Sequence, residues 1–254
     1  MRAVSLFSGS SGNCTLVDTG DTKLLIDAGG SAKAVCEALE RVGCRIEQIK
    51  DVFITHEHSD HTHALNVMLI KHPMRIHMTR RTAEAMNIEK GSQLYLCAVV
   101  YDGEFETSVG DCTVRAFTVP HDSESCVGYR IDRGDESVGI VTDIGYVTQR
   151  VYDCLCGCLD VMIEANHDRE MVRCGCYPAA LKRRILSGGG HLSNDDCAEI
   201  SGALARQGTK RIHLMHLSRE NNTPDRALDA VRGATDPYGV KVTVSRPDCP
   251  TFLE

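Results

Sequence analysis

Residues 53–63 read FITHEHSDHTH, so four histidines, a glutamate and an aspartate crowd one short turn behind an apolar stretch. Titratable groups at such close range repel one another, or strip one another of charge, unless a cation neutralises them. The stretch therefore demands a fold that places something positive among these side chains. DVFITH (51–56), rich in β-branched and aromatic residues, predicts a strand that ends at the cluster. His56 and His58 lie two apart at its end, so the pleat is expected to aim both to one side, where they can bind one divalent ion. Asp60 and His61 follow where the chain turns toward the next helix, and they are expected to serve a second ion nearby.

A two-ion site needs ligands from farther along, and isolated His or Asp residues do end other predicted strands. His121 ends FTVPH, Asp143 ends GIVTD and His216 ends RIHLMH. Imidazole and carboxylate donors without thiolate suit zinc, manganese or iron, and the imidazole count puts zinc first. His63, His72, His77 and His213 lack this pattern and read as packing or surface residues.

At 254 residues, with 42% hydrophobic and 25% charged residues, the chain has the composition of an ordinary globular protein, and one domain over 1–254 is expected. No run approaches the roughly 18 apolar residues of a membrane span, and MRAVSLFSGSSGN has too short an apolar stretch for a signal peptide, so a cytoplasmic location is expected. Thirteen cysteines, an odd number without Cys-x-x-Cys spacing, predict reduced and mostly buried thiols; an accessory metal or redox site is the alternative. The net charge of −7 leaves a polyanion partner dependent on local basic surface. KHPMRIHMTRR (71–81) and LKRRIL (181–186) are the candidates, with solvated helix faces and strand ends as the plainer interpretation.

Strands are expected at AVSLF (3–7), CTLVDT (14–19), TKLLIDA (22–28), QLYLCAVV, FETSV, CTVRAFTVP, CVGYRI, SVGIVTD, CLDVMIEA (158–165), KRIHLMH (210–216) and VKVTVS (240–245). Helices are expected over 31–43, about 64–71, and near 147–155, 178–186, 194–206 and 224–233. A strand-rich centre flanked by alternating helix and strand predicts an α/β protein of four layers, an αββα sandwich.

HEHSDH followed by His121, Asp143 and His216 resembles the metallo-β-lactamase superfamily signature across essentially the whole chain. The tracts SGSSGN (8–13), EANHD (164–168), YP before LKRRIL, GHLSN (190–194) and HLSRENNTP (216–224) resemble its YycJ/WalJ branch of DNA-processing nucleases. The resemblance implies one metal on His56, His58 and His121, another on Asp60, His61 and His216, and Asp143 bridging them. It also implies a 5′-to-3′ DNA exonuclease. His58 stands where flavodiiron members carry a carboxylate, which argues against the redox branch, and the length leaves little room for a β-CASP insertion.

Two divalent cations lower the pKa of a shared water toward neutrality, so a bridging hydroxide is the expected nucleophile. Against Asp60, Asp143 and that hydroxide, four positive charges leave about +1, which favours an anionic substrate such as a phosphodiester. His191 precedes a helix that Ser193 or Asn194 can cap, and it resembles the histidine that stabilises the transition state or donates a proton in the tRNA-processing branch. Its alternative is a turn histidine. Arg219, Lys182 and Arg183 are candidate phosphate contacts, SGSSGN a candidate anion nest or simple turn, and Glu164, Asn166 and His167 candidate supports for the ligands. Two other functions stay open: a small-molecule phosphodiesterase and a non-catalytic, metal-bound regulator.

Overall fold

The central strands carry apolar residues at consecutive positions, which requires a sheet covered on both faces. The computed structural model, which describes residues 1–187, 190–247 and 249–253, has that arrangement. The first sheet contains β1 (Arg2–Phe7), β2 (Cys14–Asp18), β3 (Lys23–Ile26), β4 (Asp51–Phe53), β5 (Arg75–Thr79) and β6 (Ala98–Tyr101) in spatial order. The second contains β7 (Phe105–Val109), β8 (Cys112–Val119), β9 (Cys126–Arg133), β10 (Glu136–Val141), β11 (Asp160–Glu164), β12 (Arg211–Met215) and β13 (Lys241–Val244). The chain then returns to the first sheet as β14 (Thr251–Phe252), antiparallel to β1. Both sheets begin as antiparallel meanders and turn parallel, at β3–β4 in one and β10–β11 in the other.

Leu24 and Ile26 of β3 face the space between the sheets, among Phe53, Val114, Tyr129 and Met162. Leu25, one residue out of phase, packs on the other face with Leu39 and Met68. The helices of the first half are α1 (Ala32–Arg41), α2 (Ser59–Thr62), α3 (Leu65–Lys71), α4 (Arg80–Ala85) and α5 (Gln93–Cys97), of which α1, α3 and α5 supply that outer layer. Those of the second half are α6 (Gln149–Leu155), α7 (Arg169–Cys174), α8 (Ala179–Ile185), α9 (Asn194–Arg206) and α10 (Pro224–Thr235), with α6, α9 and α10 against the second sheet. The layers are therefore helix, sheet, sheet, helix. No helix among the described residues is long and apolar enough to cross a membrane. All thirteen cysteines are free and seven are buried; burial raises the thiol pKa of Cys197 to about 12.

Several elements differ from the sequence expectation. The strand over DVFITH stops at Phe53, because the Thr55 amide donates to the Asp27 carboxylate (2.8 Å) and not to a neighbouring strand. His56 and His58 thus leave the pleat, and a loop with a helix start brings them together. The QLYLC part of QLYLCAVV is helical, since the Ser92 hydroxyl accepts from the Tyr95 amide (3.2 Å) and caps α5. RIHMT, inside the basic tract 71–81, is a strand: Arg75 is paired with Asp51 (2.7 Å), and buried His77 bonds Asp51 (2.8 Å) and stacks on Phe53. The short elements α4, α7 and β14 have no counterpart in the sequence pattern.

Three loops that frame the ligand turn are knitted by backbone bonds. The Asn13 amide donates to the Asp60 carbonyl (2.7 Å), the Gly29 amide to the Asn13 carbonyl (2.9 Å), and the Ala28 amide to the His61 carbonyl (2.8 Å). The approach at Gly29 is so close that a Cβ there would overlap the Asp60 carbonyl and come within 2.6 Å of the Asn13 nitrogen. Because backbone on both sides must move, Gly29→Ala is expected to cost about 3 kcal/mol and to lower the melting temperature by about 6–12 °C. An unchanged thermal melt would show that these loops are not rigidly joined.

Candidate metal centre

Loops leaving the C-terminal ends of β4, β8, β10 and β12 gather the polar residues into one cleft. His56, His58 and His121 each present a ring nitrogen within 4.8 Å of the others. The rings of His56 and His121 lie 5.1 Å apart, and those of His58 and His121 5.4 Å apart. Burial, with the neighbouring His61, pushes the His56 pKa down, and burial does the same at His121. Both imidazoles are thereby held neutral, with a lone pair to offer.

The second group meets on the other side of Asp143. His61 Nε2 lies 3.1 Å from Asp143 Oδ2 and 3.4 Å from Asp60 Oδ2, while His216 Nε2 is 4.0 Å from Asp60 Oδ2. Asp143 also approaches the first group, with Oδ1 3.9 Å from His121 Nε2. His121 Nε2, Asp143 Oδ2 and His216 Nε2 are buried and have no hydrogen-bond partner among the described residues. Leaving one buried polar atom unsatisfied costs roughly 1–3 kcal/mol, and three such atoms around one cleft fit cationic partners bound there.

Two buried carboxylates orient the imidazoles. Asp27 Oδ2 accepts from His61 Nδ1 (2.8 Å) and from the Thr55 hydroxyl (2.9 Å), which leaves His61 Nε2 facing the cleft. Thr55 Oγ1 lies 3.0 Å from His56 Nδ1 and can accept its N–H in turn. Burial works against charge on His61, but Asp27 and Asp143 outweigh it and raise its pKa well above the ordinary value. Glu164 Oε1 accepts from both His191 Nδ1 and His216 Nδ1, each at 2.8 Å, and Oε2 accepts from the amides of Ile144 (2.8 Å) and Leu192 (3.1 Å). Burial opposes ionisation of Glu164, yet the two histidines pull its pKa down to about 2. The set Asp143, Glu164, His191 and His216 has metal-like spacing. Its own hydrogen bonds already close it, so it is better described as a hub that points His216 into the cleft.

His191 remains 26% exposed, and the Glu164 and Asp143 carboxylates overcome burial to raise its pKa to about 9. Ser193 caps α9 behind it by accepting from the Asp196 amide (3.2 Å). Asp27, Asp143 and His216 all have left-handed backbone, with φ of 61°, 53° and 54°. Non-glycine residues adopt this strained conformation rarely, and such residues concentrate at sites.

The seven expected ligands, His191 and Glu164 therefore converge. The sequence reasoning missed Asp27, and it reached Asn13 and Arg184 only as members of the tracts SGSSGN and LKRRIL. Asn13 Nδ2 reaches His61 Nε2 (3.0 Å) and Asp60 Oδ2 (3.2 Å), so SGSSGN contributes a side chain to the cleft. Arg184, paired with Asp122 through Nε (2.6 Å), lines a small opening of about 180 Å³ with His191, Ser10 and Ser218. Lys182 is turned away to the Arg173 carbonyl (2.7 Å), Arg183 is exposed on α8, and Arg219 donates to Ser11 (3.2 Å). Asn166 Nδ2 bonds the His216 carbonyl (2.8 Å), whereas His167 lines a separate cavity beside His191.

Residues 22–217, which include all seven ligand candidates, match the family model described as a beta-lactamase superfamily domain. The exodeoxyribonuclease WalJ of Streptococcus pneumoniae is 39% identical over 228 residues, covering 87% of this chain and 83% of that one. The exodeoxyribonuclease YycJ of Bacillus anthracis is 35% identical over 241 residues, covering 93% and 90%. The Zn(2+)-bound crystal structure of PqqB from Methylobacterium extorquens has the same fold, with a TM-score of 0.76, 17% identity and 99% of each chain covered. This fold implies divalent metal ions, for which the cleft offers the donors described above. The chain belongs to the metallo-β-lactamase superfamily and, within it, to the WalJ/YycJ family.

Proposed function

We propose that the chain is a dinuclear metal-dependent 5′-to-3′ DNA exonuclease in which His56, His58 and His121 hold one divalent cation, Asp60, His61 and His216 hold another, and Asp143 lies between them. The observation that carries this function is the convergence of three buried, unpartnered donor atoms in a chain alignable over most of its length with two exodeoxyribonucleases. A pair of divalent cations, zinc first by the imidazole count, supplies Lewis acidity and activates water at neutral pH.

The chain's own groups do the rest. Glu164 fixes His191 through Nδ1, which leaves Nε2 toward the cleft. The Glu164 carboxylate on Nδ1 favours a protonated His191, which can donate a hydrogen bond to a phosphoryl oxygen or a proton to the departing 3′-oxygen. Asp27 holds the His61 ring in one tautomer, so that the orientation of Nε2 needs no rearrangement on binding. Arg184 and Arg219 border the cleft as backbone-phosphate contacts that carry no sequence information. Residues 1–254 act here as one domain, and the shared core between the sheets supports that.

Asp143→Ala is expected to reduce hydrolysis of an end-labelled duplex by more than about 10³-fold and to lower the metal content, read by plasma mass spectrometry, below two ions per chain. Comparison of 5′- and 3′-labelled strands reads the polarity. Full activity in Asp143→Ala, or in wild type stripped of metal, would remove the proposed function. His191→Ala is expected to lower kcat about 10²–10³-fold without loss of bound metal; a loss of metal instead would make it a ligand. Asp27→Asn is expected to weaken metal binding by about 10–100-fold in a competition titration with a chelator, and an unchanged affinity would deny it a positioning role.

A further inference from the structure

The tract SGSSGN forms a loop with a fixed base and an unspent tip. Asn13 Oδ1 accepts from the Gly9 amide (2.9 Å), the Gly12 amide donates to the Gly9 carbonyl (2.9 Å), and the same Asn13 side chain reaches His61 and Asp60. The tip, Ser10 and Ser11, is exposed, and its two amides and the Ser10 hydroxyl donate to nothing among the described residues. Successive amides in a turn can form an anion-binding concavity. Ser10 and Ser218 border the small opening that contains His191, and both also line a larger cavity of about 520 Å³ next to it.

The volume of that cavity lies within the roughly 300–1,000 Å³ of small-ligand pockets. Tyr177 borders both spaces, and with Leu217, Pro224 and Pro247 it gives the cavity apolar walls. Ser8 lines it too: the residue is 5% exposed, its hydroxyl accepts from the His216 amide (2.7 Å), and its own proton has no acceptor among the described residues. Arg219, which donates to the Ser11 hydroxyl (3.2 Å), and the exposed Glu220 also line the cavity. A different cavity beside His191, of about 510 Å³, carries two carboxylates, Asp196 and Glu199, and its Arg169 is held by Asp196 (2.6 Å). An anion close to His191 is therefore better received on the serine side.

We propose that the serine-lined cavity takes the terminal nucleotide of the DNA strand, its base against Tyr177 and its 5′-phosphate on the Ser10–Ser11 tip with Ser218. This deepens, and rests on, the exonuclease function proposed above, and it makes a 5′-phosphorylated end the feature recognised. Hydrolysis of the next phosphodiester breaks the bond between phosphorus and the 3′-oxygen of this nucleotide. The water oxygen takes its place on phosphorus, and the 3′-oxygen leaves with a proton from His191, so the product is a 5′-mononucleotide. The phosphate stays on the shortened strand as its new 5′ end, and each cut regenerates the group that the serine tip binds.

The test compares release of the first nucleotide, by the metal-loaded protein, from duplexes that differ only in a 5′-phosphate or a 5′-hydroxyl end. Wild type is expected to favour the phosphorylated end by about 10–100-fold in kcat/KM, the contribution of hydrogen bonds to a charged group. Ser10→Asp sets a carboxylate against the phosphate and is expected to bring that ratio close to one; the ratio is taken within one protein, so loss of folding or of metal does not produce the change. Tyr177→Ala is expected to raise the KM for the phosphorylated end about tenfold, the contribution of one stacked base, and Tyr177→Phe to match wild type. Equal rates from the two ends in wild type, with DNA degraded from its 5′ end, overturn the phosphate site alone. A preference that survives Ser10→Asp overturns its placement in this cavity. A wild-type protein that hydrolyses bis(4-nitrophenyl) phosphate but no DNA overturns the exonuclease function, and the strand-end site with it.

Discussion

Two fully buried carboxylates, Asp27 and Glu164, hold the centre in shape. Each takes the Nδ1 of a histidine whose Nε2 must face the cleft, and each also takes backbone amides, so ring orientation and loop path are set by the same bonds. Glu164 alone joins residues 144, 191, 192 and 216, four points that come from three separate loops. Charge buried without such a set of donors is costly, and here Glu164 accepts four hydrogen bonds and Asp27 three. The ligand cluster is therefore preorganised by hydrogen bonds that a cation need not make for itself.

The pseudo-repetition of the sheets shows where the acids come from. β3 and β10 are the strands at which each sheet turns from antiparallel to parallel, and each is followed closely by an aspartate with left-handed backbone, Asp27 and Asp143. Crevices at such switch points, outside the carboxyl ends of strands, are where open α/β sheets bind ligands. In this chain one switch-point aspartate lies between the two imidazole groups and the other supports His61 from behind.

The layered fold and the convergence of the seven candidate ligands were legible because both leave strong periodic or clustered signals. Apolar strand ends followed by His or Asp located His121, Asp143 and His216. The same rule applied to TKLLIDA points to Asp27, and the HEHSDH cluster drew attention away from it. Other features carry no local signal. Thr55 leaves its ladder because of a carboxylate 28 positions away, and the glycine at 29 is explained only by the Asp60 carbonyl that fills its Cβ position. QLYLC is apolar enough for a strand, and only its Ser92 cap decides otherwise. The acidic net charge also misleads: many carboxylates are consumed in local ion pairs such as Asp51–Arg75 and Asp160–Arg211, so the total says little about the field at the cleft.

The bond from the His216 amide to the Ser8 hydroxyl, 2.7 Å long, spans 208 positions. Ribosomal synthesis delivers those two ends tens of seconds apart at ordinary elongation rates, roughly 5–20 residues per second. The loop that carries His216 can therefore be anchored to the loop after β1 only when nearly the whole chain has been made.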